Sequence, residues 1–437
     1  MGSLKIIETQ SEDFAERWGL LRAKLSLEGA LWEDPERLVA VRTIIAKVRA
    51  GGDEAVARLT REYDRIEVGP DDVRIPAAAL QEAHAGLDKG LLAVLREAAA
   101  NVRRYQEAIV VQGPADWTEN GVRLGVRYRP LDRVGVCVPG ASAPLVSTVI
   151  MTVVPARVAG VKEIAVMSSP SYQGSVHPAI LGLCFELGVE EVYRMSGAQG
   201  VAAMAFGTER VGKVDKIVGP GSGWGPLAKK ELYGVVDIDS FAGPSEVLIL
   251  ADGSARPDWV AADMLSQAEH DPGSAILVTE SALLATDVAA QVDKQLARLG
   301  RAERTRKCIE AFSAAVVTRD GAEAVQIAND FAPEHLQILC ADSEAVAEKI
   351  EHAGAIFIGP YTPVAVGDYW AGPSHTLPTG GSARFWGALN VNDFRKQSSV
   401  IAYNAGALAR AQEAICALAD VEGLDAHGRS ITIRGED

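Results

Sequence analysis

Residues 132–170 read DRVGVCVPGASAPLVSTVIMTVVPARVAGVKEIAVMSSP. A short apolar run ends at Pro139-Gly140. A longer apolar stretch follows, and a second short run ends at Ser169-Pro170. Short apolar runs punctuated by Gly or Pro are buried strands, and the longer stretch between them is a helix. Strand, helix, strand in that order predicts two neighbouring parallel strands.

The alternation continues outward. EEVYRMSG (190–197) and KVDKIVGPG (213–221) are further strands, each preceded or followed by a helical run such as HPAILGLCFELGV (177–189) or GWGPLAKKELYGV (223–235). A second series has EVLILAD (246–252), SAILVTES (274–281), AAVVTRD (314–320) and GAIFIG (354–359) as strands. The expected fold is α/β, with two incomplete Rossmann-like parallel-sheet domains and small N- and C-terminal segments. Residues 34–64 and 89–110 read as long helices, the first with an Asp cap and a Gly-Gly break. Residues 122–138 read as extended.

The division expected from this pattern has an N-terminal segment at 1–27 and a first domain from 28–115 and 245–383. A connector at 116–137 packs with the N-terminal segment. A second domain spans 138–244, and a helical C-terminal segment spans 384–437. That last piece, about fifty residues, is too short to build its own core and must lean on another surface.

The 437 residues exceed one core, and 48% hydrophobic content supplies a large interior. No apolar run reaches the ~20 residues of a membrane span, and the start has no signal-peptide core. The net charge of −15 argues against nucleic acid as a partner. Five scattered cysteines without a CxxC fit reduced thiols and a cytoplasmic location, not a disulfide frame or a thiolate zinc site.

Four of the seven histidines keep polar company. In MLSQAEHDPG (264–273), Gln267 and His270 are three apart at the end of a predicted helix and share a face. The plain alternative is a helix terminus stopped by Pro272-Gly273. In FAPEHLQIL (331–339), Glu334 and His335 are adjacent. A carboxylate beside an imidazole suits proton transfer near neutral pH, provided a turn at Pro333 lets both face one site. Otherwise the pair is a surface turn entering a strand. Asp368 and His375 lie in the loop GDYWAGPSHTLPTGG (367–381), and His427 lies in EGLDAH (422–427). Gln267, His270, Asp368 and one further His would form a mixed N/O site suited to zinc or manganese. VPGASAP (138–144) and GPGSGWG (219–225) follow strands and could approach phosphates, but neither is a GxGxxG.

In order, these pieces resemble the histidinol dehydrogenase family from about Val39 to Arg434. The runs that carry the likeness are SAPLVSTVIM, GAQGVAAMAFGT, KVDKIVGPG, AGPSEVLILAD, LSQAEHD, APEHL, GDYWAGPSHTLPT and EGLDAH. The resemblance implies oxidation of L-histidinol to L-histidine through L-histidinal with two NAD, closing histidine biosynthesis. It implies one Zn2+ per subunit, with Mn2+ able to substitute, held by Gln267, His270, Asp368 and His427. Glu334 and His335 match the catalytic pair. Ser147, Ser245, His375 and Glu422 match substrate-site positions, alongside Gln267, His270, His335, Asp368 and His427. The family enzyme is a domain-swapped homodimer with shared active sites, so Glu422 and His427 would serve the other subunit.

The resemblance places Cys137, Gln199 and Ser222 at the family's cofactor contacts. Cys137 and Ser222 replace the family's usual Tyr and Asn, and Ala141 and Ser374 replace its usual Gly and Asn. The family also has members that act on other small alcohols, such as sulfopropanediol. A chain that keeps the fold as a catalytically silent binding protein would not need Glu334 and His335.

Overall fold

The computed structural model describes residues 3–27, 34–141, 143–221, 223–241, 243–270 and 272–436. Its strands are β1 (Lys5–Glu8), β2 (Trp117–Glu119), β3 (Val122–Pro130), β4 (Arg133–Val138), β5 (Glu163–Ser168), β6 (Glu191–Arg194) and β7 (Lys216–Val218). There follow β8 (Asp237–Ile238), β9 (Ser245–Ala251), β10 (Gly273–Thr279), β11 (Ala314–Val317), β12 (His335–Leu339), β13 (Ala355–Ile358) and β14 (Arg395–Tyr403). Two sheets are parallel throughout. One runs β1-β11-β10-β9-β12-β13 and the other β6-β5-β4-β7-β8. Helices connect successive strands, as expected for two Rossmann-like units.

The central strands read as continuous apolar runs because both faces are covered. Val247 to Leu250 and Ala275 to Val278 are at most 2% exposed. The helix Pro35–Asp64 starts where the sequence says: the Asp34 side chain accepts from the Arg37 N–H, and Pro35 takes the first turn. It breaks at Gly52, whose φ of 50° no side chain tolerates easily. A Cβ there would also strike the Glu209 carboxylate that accepts the Asp53 N–H.

The domain division differs from the expected one in three ways. Helices between 35 and 108 pack on the five-stranded sheet, not the six-stranded one. Val41, Ile44 and Val48 share a core with Tyr193, Met195 and Ala203. Ala77–Ala85 packs on Pro178–Glu186, and Lys89–Ala108 on Val146–Ala159. The reason is apolar matching over long sequence distance, which local periodicity does not encode.

Secondly, the N-terminal segment is not separate. Lys5–Glu8 extends the six-stranded sheet by pairing with Ala314–Val317.

Thirdly, the stretch 116–137 does not pack with that segment. β3 pairs antiparallel with β14 along its whole length, from Val122↔Tyr403 to Pro130↔Arg395, and β4 is the central strand of the five-stranded sheet. The C-terminal segment therefore begins with a strand, followed by the helices Ala405–Glu422 and Asp425–Thr432, which pack on each other. No helix among the described residues is long and apolar enough to cross a membrane.

Candidate active site

The polar residues gather at the amino ends of the six-stranded sheet. Ser245 opens β9, Gly273 opens β10 and His335 opens β12. Open α/β sheets usually bind ligands at their carboxyl ends. Here the amino edge of one sheet faces the helix that leaves the carboxyl end of β4 on the other. His375 Nε2 lies 3.3 Å from Thr148 Oγ1, one residue after Ser147, and the Ser374 hydroxyl donates to the Met151 carbonyl at 3.0 Å. These contacts tie the loop after Asp368 to the five-stranded unit.

Glu334 and His335 are brought together by the expected turn. The helix Gly321–Phe331 ends at Ala332, which adopts a left-handed φ of 51°, and Pro333 leads into β12. His335 Nδ1 then lies 3.5 Å from Glu334 Oε2. Both side chains are buried, at 4% and 5% exposure. His335 Nδ1 is 3.0 Å from the Glu246 carbonyl, so it carries the ring proton in the neutral form. Nε2 is buried without a hydrogen-bond partner and looks toward Asp368 Oδ1 at 3.8 Å. Burial opposes charge on the ring, but the adjacent Glu334 and Asp368 carboxylates outweigh it and push His335 up to about 9. Burial lowers His375 against the opposing pull of Asp368.

The helix Pro257–Ala268 carries Gln267 to this edge. It ends earlier than expected, but the His270 N–H still donates to the Gln267 carbonyl, so the two residues occupy one turn. The stop is tight: a Cβ on Gly273 would sit 2.3 Å from the Gln267 carbonyl oxygen. Gln267 is 2% exposed and its Nε2 has no partner. His270 is exposed and Asp368 half-buried. Among the described residues no group of three or more His, Cys, Asp or Glu clusters as a complete metal set. His427 and Glu422 are exposed on the C-terminal helices, and no hydrogen bond or ion pair joins their side chains to these residues.

The expected cofactor positions lie on the other unit. Gln199 is buried in the first turn of the helix Gly197–Phe206. The Cys137 side chain packs inside the core of that unit, where burial pushes its thiol up to about 11. Ser222 lies outside the described residues. The neighbouring Gly219 needs its φ of 98°, and a Cβ there would sit 2.3 Å from the Cys137 carbonyl oxygen.

Sequence reasoning passed over four polar residues. Thr148 meets His375, as above. Asp263 accepts from Gln337 Nε2 at 2.6 Å, and burial pushes its carboxyl up to about 6 despite that bond. Glu246 is fully buried beside Glu334. Their common signal is a polar residue inside an otherwise apolar buried strand or helix face, as in SEVLILA and HLQIL.

The family model for histidinol dehydrogenase matches residues 33–435. A histidinol dehydrogenase of Rhodopirellula baltica is 44% identical, covering 98% of this chain and 96% of its own length. One of Bacillus subtilis is 45% identical over 91% of this chain and 93% of its own. The crystal structure of histidinol dehydrogenase from Elizabethkingia anophelis superposes with a TM-score of 0.91 at 30% identity, covering 99% of this chain and 98% of that one. An acetylating aldehyde dehydrogenase from Geobacillus thermoglucosidasius, at 17% identity and TM-score 0.50, shares the fold alone. The extent of the match and the placement of Glu334 and His335 at a buried edge agree: this chain is an oxidoreductase belonging to the histidinol dehydrogenase family.

Proposed function

We propose that this protein oxidises L-histidinol to L-histidine through L-histidinal, with two NAD as hydride acceptors and one Zn2+ per subunit. The observation that carries the reading is the buried Glu334–His335 pair, with His335 Nε2 left without a partner. In the neutral ring, a form that gains population as pH rises toward about 9, Nε2 is the free nitrogen for the alcohol proton, because Nδ1 is committed to the Glu246 carbonyl. One oxygen of Glu334 accepts the Glu246 N–H at 2.8 Å. The other is free to order a water and take its proton as that water adds to the aldehyde. His335 then serves as base again for the hydrate.

Gln267, His270 and Asp368 would supply three of the four metal ligands, and His427 of the partner subunit would supply the fourth. Gln267 fits this role: its amide is buried with an unmet polar atom, and amide oxygen and nitrogen exchange places by a simple flip. Two imidazoles, one amide and one carboxylate would leave Zn2+ with positive charge to hold the nitrogen atoms of the substrate. Ser147, Ser245 and His375 line the substrate space, and Glu422 of the partner subunit would face the substrate ammonium. Gln199 and the turn at 219–221 would meet NAD at the carboxyl edge of the five-stranded sheet.

The test is turnover with L-histidinol as sole substrate. Two NADH per histidine are expected, with loss on chelation and recovery with Zn2+ or Mn2+. Metal-loaded, folded protein that ignores L-histidinol but oxidises a sulfonated propanediol would replace this substrate with the other.

A further inference from the structure

β9 is apolar from Val247 to Ala251, yet it begins Ser245-Glu246, and Glu246 is 0% exposed. A carboxyl group in such a place costs stability that a well-packed apolar side chain would not. What it touches accounts for it. The register places His335 beside Val247, so Glu334 runs alongside Glu246 on the neighbouring strand. The two acids then bond reciprocally. The Glu246 N–H donates to Glu334 Oε2 at 2.8 Å, and the Glu334 N–H donates to Glu246 Oε1 at 3.3 Å. The same Oε1 accepts the Gly380 N–H at 3.0 Å, at the far end of the loop that carries His375. The Glu246 carbonyl accepts a hydrogen bond from His335 Nδ1–H. One residue thus holds the backbone and carboxylate of Glu334, the ring of His335 and the loop of His375.

We infer that Glu246 is a positioning residue of the active site, clamping the catalytic pair and the His375 loop in one geometry. The inference rests on the roles proposed for Glu334 and His335. It also separates two effects. The His335 ring is held by a backbone carbonyl, which side-chain substitution leaves in place. The Glu334 carboxylate also keeps its bond to the Glu246 backbone N–H, but the Glu334 main chain, which sets where that carboxylate sits, is held through the Glu246 carboxyl, and substitution removes that hold. Loss of that carboxyl therefore falls mainly on the step that needs Glu334, the hydration and oxidation of the aldehyde.

The experiment compares Glu246→Leu, Glu246→Gln and Glu334→Gln in the metal-loaded enzyme, assaying L-histidinol and L-histidinal separately with NAD. Glu246→Leu is expected to lower kcat for the aldehyde by about 10²-fold, the scale of an ångström-sized misplacement, and more than for the alcohol. Glu246→Gln keeps an oxygen for both N–H donors and should recover most of that loss. A purely structural residue predicts a lower melting temperature with both kcat values, per folded molecule, within twofold of wild type. That result overturns the inference. Should Glu246→Leu not fold, Glu246→Asp decides: its shorter carboxyl cannot span Glu334 and Gly380, and an unchanged ratio of the two rates overturns the clamp. If instead Glu334→Gln turns over both substrates normally, the catalytic reading falls first, and the two failures are told apart.

Discussion

At the scale of single residues, burial and neighbouring charge set the chemistry. Glu246 illustrates both. Burial, and then the Glu334 charge, raise its carboxyl to about 8. An acid whose folded pKa lies above its unfolded value binds its proton more tightly in the native state. Its contribution is complete below about 4.5 and is lost as pH rises toward about 8. Within that window the wild type loses up to about 1.4 kcal/mol per pH unit from this group. Glu246→Gln cannot titrate. Its melting temperature relative to wild type should climb steadily between those limits and level off above them. Thermal melts across the series check this, and a constant difference would place the carboxyl's pKa in its ordinary range. The residue was legible only as the acid in AGPSEVLILAD. Its depth and its partner Glu334, 88 positions away, arise from strand register that a single sequence does not display. The Glu334–His335 pair was legible, because APEH combines a turn-forming proline with two proton-transfer groups.

At the scale of elements, the turn at the end of β7 depends on a buried ion pair. Lys229 Nζ donates to Asp239 Oδ1 at 2.7 Å and to the Gly219 carbonyl at 2.6 Å, while Asp239 Oδ2 accepts the Gly219 N–H at 2.6 Å. Lys229 and Asp239 are each 5% exposed or less at the side chain. Lys229→Met would leave a buried carboxylate short of its cation, which typically costs about 3–5 kcal/mol. Urea unfolding should show that loss, and KM for NAD should rise because the turn it holds faces the proposed cofactor. Wild-type stability in this variant would show that the pair does not hold the turn. Strands and helices themselves were legible wherever one local signal sufficed: Asp34 as cap, Gly52 as break, Pro139-Gly140 as strand end. The helices between 35 and 108 were assigned to the wrong sheet, since Val41 and Ile44 carry no mark of whether Tyr193 or Leu265 will cover them.

At the scale of the molecule, the C-terminal helices expose apolar side chains at their outer face. Leu418 is 68% and Val421 88% exposed, near Glu422 and His427, whose exposed side chains have no hydrogen bond or ion pair to Gln267, His270 or Asp368 within one chain. A second subunit that covers this face would complete the metal set. Combining His270→Asn subunits with His427→Asn subunits tests the sharing. In a heterodimer with shared sites, one site carries both lesions and the other none, so activity returns toward one intact site per dimer. Heterodimers verified by mass spectrometry that stay inactive would show that each chain builds its own site.

The pairing of Lys5–Glu8 with Ala314–Val317 bears on how the chain assembles while it is made. All five strands of the smaller sheet exist once Ile238 has emerged, and the sheet can form then, with Leu389 and Phe394 joining its core later. β1 is synthesised first but has no partner until β11 exists. At roughly 5–20 residues per second, that is a delay of roughly 15–60 s. The middle of the polypeptide therefore folds before its beginning, and the N-terminal strand is the latch that closes on a sheet finished behind it. A bulky fusion at the amino terminus should slow that final closure on the ribosome while leaving the earlier unit unaffected.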